Sequence, residues 1–214
     1  MLAEKLTELK KEVIEYTALI ETMVGDGMQG LLKKDADKLR NVINEQEPKA
    51  NLKENELDEK CISLIAQYQP KAKDLRTILV IQGMNRDLER IGDHAENIAE
   101  SALFLIERPQ VKPFVDLPRM SEIVRGMLRD SVNAFMQEDP QLGKNVRDRD
   151  DLVDDLRELV TYMSADVSTI ERALHIMRIA DNLERIADLT TNVGEDVIFM
   201  VEGKVLKHNP QDGE

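Results

Sequence analysis

Glu89, Asp93 and Asn97 recur as Glu184, Asp188 and Asn192, inside the stretches LERIGDHAENIAE at 88–100 and LERIADLTTNVGE at 183–195. Moved back by 95 residues, the second stretch repeats the Leu, Glu, Arg, Ile, Asp, Asn and Glu of the first. A spacing of four stacks oxygen-bearing side chains along one face of a helix. Two carboxylates so placed repel by about 0.2–0.5 kcal/mol, a cost that a bound cation would turn into a gain. Upstream of each stretch lies another four-spaced pair, Glu47 and Asn51 in the first half, Asp150 and Asp154 in the second. Presented side by side by neighbouring helices, these pairs would collect a set of hard oxygen donors suited to magnesium, manganese, calcium or iron.

An acidic face on an exposed helix is ordinarily solvated and nothing more, and Arg86, Arg90 and Arg185 are spaced three residues from Glu89, Asp93 and Asp188 as if for surface pairs. Against that bland reading stand the recurrence of the stripe and the second pair on the preceding helix. A di-iron oxidase site would need Glu-x-x-His facing a bundle interior; the chain has no such motif. His94 could be imagined as a phosphotransfer histidine, but Leu189 takes its place in the second half. No nucleophilic triad and no glycine-rich phosphate loop is present. Two other classes compete with a binding protein: a metalloenzyme built on clustered carboxylates, and a purely structural helical scaffold.

The elements that must position these residues are helices. Aromatics make up 3% of the 214 residues, Trp is absent, and only 10 Gly and 7 Pro interrupt a chain rich in Leu, Ile, Met, Glu and Lys. Leu2, Leu6, Leu9, Val13, Tyr16, Ile20 and Met23 step by three and four down a first helix. A second is predicted over 35–67, with Pro48 as a kink or restart, and a third after Gln69-Pro70 with its seam through Leu88, Ile91, Ala95, Ile98 and Ala102. On a helical wheel the acidic stripe lies opposite that seam, on the outside of the bundle. Three prolines in 108–118 mark a linker. Helices are then expected over 120–137, from Asp139-Pro140 to about 163, and over 166–202, with Gly203 as C-cap and a polar tail over 204–214. Pairings at the same offset of 95 include Leu57 with Leu152, Leu64 with Leu159, Leu79 with Leu174 and Phe104 with Phe199. An offset of 103 pairs Ile43, Glu47 and Asn51 with Val146, Asp150 and Asp154. The second half therefore lacks eight residues in its middle helix. The expected fold is all-α, two tandem three-helix bundles at 1–108 and 119–203 joined by a linker at 109–118.

A formal charge of −13 repels nucleic acid and anionic lipid, and no apolar stretch is long enough for a signal peptide or a membrane span, so a cytoplasmic protein without nucleic-acid partners is expected. Cys61, the one cysteine, reads as core.

The paired LERI-x-D-x-x-x-N motifs, together with CISLIAQYQPKAKDLR at 61–76 and the closing VIFMVEG, resemble the PhoU family over nearly the whole chain. That resemblance implies a non-enzymatic, cytoplasmic, commonly dimeric negative regulator of phosphate uptake and of phosphate-starvation signalling. Its implied partners are the ATPase of the phosphate ABC transporter and a sensor histidine kinase. Multinuclear iron or zinc clusters held by E(D)-x-x-x-D motifs are implied as well, falling here on Glu89/Asp93, Glu184/Asp188 and Asp150/Asp154, with Asn97 and Asn192 following. In the first half Glu47/Asn51 stands in the corresponding place, and the amide there implies a less negative, weaker first site.

Overall fold

The computed structural model describes residues 1–110, 113–161 and 170–203. All the regular structure among them is helical: α1 Leu2–Lys33, α2 Ala36–Asn41, α3 Glu47–Tyr68, α4 Ala72–Ile106, α5 Asp116–Gln137, α6 Pro140–Arg147, α7 Asp150–Thr161 and α8 Ile170–Glu202, with a π-helical turn, Val42–Gln46, joining α2 to α3. α1, α2–α3 and α4 form one three-helix bundle; α5, α6–α7 and α8 form the other. The seams set out above are its core: Leu9, Val13, Tyr16, Ile20 and Met23 of α1 and Leu88, Ile91, Ala95, Ile98 and Ala102 of α4 are all buried.

Both bundles turn the same corner after their first helix. Lys34 and Glu138 close α1 and α5 in the left-handed conformation, at φ 54° and 53°. Asp35 and Asp139 then donate their amides back to Gly30 and Ala134, each at 2.9 Å. The carboxylate of Asp35 caps α2 by accepting from the Lys38 amide at 3.0 Å, and that of Asp139 caps α6 through Gln141 and Leu142. Glycine is required at position 30 because an added Cβ would lie 2.4 Å from Cδ2 of Leu39.

Several expectations need adjusting. Equivalence over the first helix and its corner runs at an offset of 104, so that buried Val42, not Ile43, matches buried Val146. The first half then holds one more residue before Glu47 than the second holds before Asp150, and the π-turn absorbs it. Pro48 follows at once in the first turn of α3, where its missing amide costs least. Leu57 is 2% exposed and Leu152 48%, so Leu57 instead matches Val160, at 3%. The offset of 103 thus persists to the end of the middle helix, and the eight-residue deficit falls between Val160 and Leu174, a span that includes 162–169, outside the described residues. The helix expected from Asp139 to about 163 is broken after Arg147, and α5 starts at Asp116, with Pro118 in its first turn. Residues 111–112 of the linker, the start of the helix expected from 166, and the 204–214 tail also lie outside the described residues. Gly203 does end α8, at φ +68°.

The bundles pack side by side through α4 against α8 and α1 against α5. Glu21 of α1 is gripped by Arg129 and Arg125 of α5 at 2.6 and 3.2 Å, and Glu138 by Lys73 of α4 and Lys10 of α1 at 2.6 and 3.3 Å. Within the second bundle α6 crosses α8 at glycines: a Cβ at Gly143 would sit 2.7 Å from the carbonyl oxygen of Gly194. Gly143→Ala should therefore cost about 1–3 kcal/mol in urea unfolding despite alanine's higher helix propensity, whereas Gly126→Ala, whose Cβ would meet only the flexible end of Arg149 at 3.5 Å, should be neutral or gain up to about 1 kcal/mol.

Candidate metal centres

α3 and α4 bring Glu47, Glu89 and Asp93 to one outer face of the first bundle. The amide of Asn51 donates to Glu47, one turn before it on the same helix. Asn97 lies one turn beyond Asp93 and donates its amide to the Asp93 carbonyl oxygen at 2.8 Å. In the second bundle α7 and α8 bring together Asp150, Asp154, Glu184 and Asp188. Asn192 lies one turn further along α8, exposed. Each pair singled out in the sequence thus meets the pair from the neighbouring helix, and each cluster lies on the outside of its bundle.

Burial and mutual repulsion act on the acids in the same direction. The carboxyls of Glu89, Glu184 and Asp188 are raised, first by burial and then by repulsion from a neighbouring acid, Asp93, Asp188 and Asp154 respectively. Asp150 is pushed up to about 6 by burial and by Asp188, Asp154, Asp151 and Glu184, and its buried Oδ1 has no hydrogen-bond partner. The surface pairs suggested by spacing do not form: among the described residues Arg86, Arg90 and Arg185 make no ion pair.

Three residues escaped the sequence reading. Glu54 of α3 faces Glu89 from the same side as Glu47, so the first cluster regains the carboxylate that Asn51 lacks. Its equivalent in the second bundle is Arg157, a cation held by Asp181 at 2.8 Å and close enough to lower Glu184. The expectation of a less negative first site is therefore reversed by one substitution in each half. Glu54 continues the Glu47–Asn51 face by one turn, a signal the sequence carried. Tyr16, read as a member of the α1 seam, is fully buried, and its hydroxyl has no partner. Its phenol is raised by burial and then by Glu54, Glu89, Asp93 and Glu47, which locates the hydroxyl beneath the first cluster.

Among the described residues no three His, Cys, Asp or Glu side chains stand close enough to hold an ion as placed. The chemistry of the clusters nevertheless fits a cation: four carboxylates on each, a buried phenol with no acceptor beneath one, and a buried carboxylate oxygen with no donor in the other. An all-oxygen set favours magnesium, manganese, calcium or iron over zinc. Glu47, Glu54, Glu89 and Asp93 would hold it in the first bundle, and Asp150, Asp154, Glu184 and Asp188 in the second. A cation would remove the repulsion.

The family model described as the PhoU domain matches the chain twice, at residues 13–102 and 117–197, one copy per bundle. The chain is 42% identical to the phosphate-specific transport system accessory protein PhoU homolog of Aquifex aeolicus, over 97% of this chain and 96% of that protein. It is 35% identical to the homolog of Pseudomonas putida, over 95% of this chain and 82% of that one. The crystal structure of PhoU from Pseudomonas aeruginosa superposes with a TM-score of 0.89 at 32% identity, over 95% of this chain and 100% of that one. The crystal structure of the phosphate transport system regulatory protein PhoU from Streptococcus pneumoniae has the same fold, with a TM-score of 0.88 at 23% identity, over 97% of this chain and 100% of that one.

Metal-free protein should lose stability as pH rises. A carboxyl raised to about 6 in the folded chain, as for Asp150, Asp87 and Asp196, still holds its proton at pH 5 where the unfolded chain has released it. Folding then binds protons, so stability is highest below about pH 4 on this account and falls through pH 4–6. Thermal melts of chelator-treated protein should show that fall, and Asp150→Asn should flatten part of it. Tyr16→Phe removes a buried hydroxyl without a partner and should stabilise the protein in urea unfolding by about 1 kcal/mol.

Proposed function

Because the chain belongs to the PhoU family, we propose that it is a non-enzymatic regulator of phosphate uptake, acting in the cytoplasm as a homodimer. On this reading it binds the ATPase of a phosphate ABC transporter and a phosphate-sensing histidine kinase, and holds starvation signalling off when phosphate is plentiful. The observation that carries the proposal is the near full-length relationship to proteins named as accessory to phosphate-specific transport, with both halves matched in order. No helix among the described residues is long and apolar enough to cross a membrane, which accords with contact through a partner at the membrane.

The bundles serve as rigid supports and the two acidic faces as the docking and metal-binding surfaces. A divalent or trivalent ion, iron, manganese, magnesium or zinc, bound at each cluster would change a repulsive face into one able to accept an anionic group of a partner. Helices packed along their length hold the donors at fixed relative height.

Elemental analysis of the purified protein should find metal, and Asp93→Ala/Asp188→Ala should lower its content; an unchanged content would remove these carboxylates as ligands. In pull-downs, Glu89→Lys/Glu184→Lys should lose the transporter ATPase and the kinase while keeping its helical circular dichroism. Retention of both partners at parental levels would reject docking through the acidic faces.

A further inference from the structure

The seam between α4 and α8 carries arginines that lie outside the bundle cores and form no ion pair with the acidic clusters beside them. Arg90 and Arg185 are equivalent residues of the two repeats, at the offset of 95, and both line one open cleft of about 530 Å³ together with His94, Glu184 and Asp188. Because α4 packs directly on α8, each repeat supplies the same side chain to a shared space. Several arginines are matched, Arg157 with Asp181, Arg149 with Asp130 at 2.5 Å, Arg125 and Arg129 with Glu21; of those that are not, Arg90 and Arg185 are the two that stand at equivalent positions of the repeats and line one cleft. In a chain with 42 acidic and 29 basic residues a carboxylate partner is easily found, yet among the described residues Arg90 and Arg185 form no ion pair or hydrogen bond.

His94 adds a directional element. Asn182 donates its amide to the Arg178 carbonyl at 2.6 Å, so its side-chain oxygen is the acceptor that faces His94 Nδ1 at 2.8 Å. Nδ1 therefore donates, and the neutral ring keeps Nε2 as an acceptor. Two guanidinium forks suit a tetrahedral oxyanion, while Nε2 and the carboxylates of Glu184 and Asp188 suit a ligand that brings a proton of its own. Hydrogen phosphate has both properties. Sulfate has the charge without the proton.

We propose that the α4–α8 cleft binds a phosphate-type oxyanion, held by the guanidiniums of Arg90 and Arg185, with its P–OH donated to an acceptor on the cleft wall. The ligand is either free phosphate or the phosphoryl group of a larger molecule. The inference deepens the metal reading, because Glu184 and Asp188 belong both to the second cluster and to this cleft, and a cation on them would offset their repulsion of the anion.

The test is calorimetric titration of the full chain, supplied with Mn²⁺, with inorganic phosphate, glycerol 3-phosphate and sulfate, with manganese content measured on the same samples. Phosphate or its ester should bind, sulfate should bind much more weakly, and Arg90→Gln/Arg185→Gln should weaken binding by about tenfold or more with metal content and helicity retained. Orthophosphate as the tighter ligand assigns the free ion; the ester as the tighter one assigns a carried phosphoryl group. Absence of binding to both, equal binding of sulfate, or parental affinity in the double variant would overturn the site. Arginine-dependent phosphate binding by protein that takes up no manganese would reject the metal centres and leave this site standing.

Discussion

Each of the two longest helices must serve three environments at once. α4 and α8 give one face to the leucine-rich core of their own bundle, one to each other and one to water. With 3.6 residues per turn, a stripe for each environment is narrow, and every residue type along it is constrained. The face turned to the other repeat is where polar residues are drawn out of water: half-buried Asp87 and His94 and buried Ser101 along α4, a step of seven each time, and half-buried Asn182 and Asp196 along α8, with buried Leu189 between them. The same offset of 95 converts one row into the other, so the seam is a contact of a surface with its own duplicate, a pseudo-twofold arrangement inside one chain.

That contact determines where charge can collect. Since the core and the seam occupy two faces, the clustered acids Glu89, Asp93, Glu184 and Asp188 fall on the third, and the neighbouring middle helix supplies the opposing wall. Repulsion within such a cluster is expensive only where water is partly excluded, which is the condition of Glu89, Glu184 and Asp150. The copies have diverged at this wall: Glu54 and Arg157 are equivalent yet opposite in sign, as Asn51 and Asp154 differ in charge. Duplication has left two sites of similar shape and different electrostatics, with a buried phenol beneath only the first, since α1 Tyr16 is matched by Met120 of α5.

Much of this was legible in the sequence because long amphipathic helices announce themselves by period. The apolar seams, the repeat, the Asp139-Pro140 start and the four-spaced acids needed only spacing and composition. Three things were not legible, each for a physical reason. The seam face of α4 is marked by Asp87 and His94, residues that read as solvent-facing until another helix is known to cover them. Tyr16 has an apolar body that fits a core stripe, and nothing local says where its hydroxyl points. The equivalence of Leu57 with Val160 is hidden by a chance match of leucines at another offset, and burial alone decides between them.

The π-turn at Val42–Gln46 has an evolutionary corollary. Inserting a single residue into a continuous α-helix rotates everything downstream by about 100°, which would have swung Glu47, Asn51 and Glu54 away from α4. A locally widened turn takes up the extra residue and restores the phase, while the other copy meets the same need with a break before Asp150. Length changes between the duplicates are accommodated at these joints because angular phase, not contour length, is what keeps each outward-facing acidic cluster together.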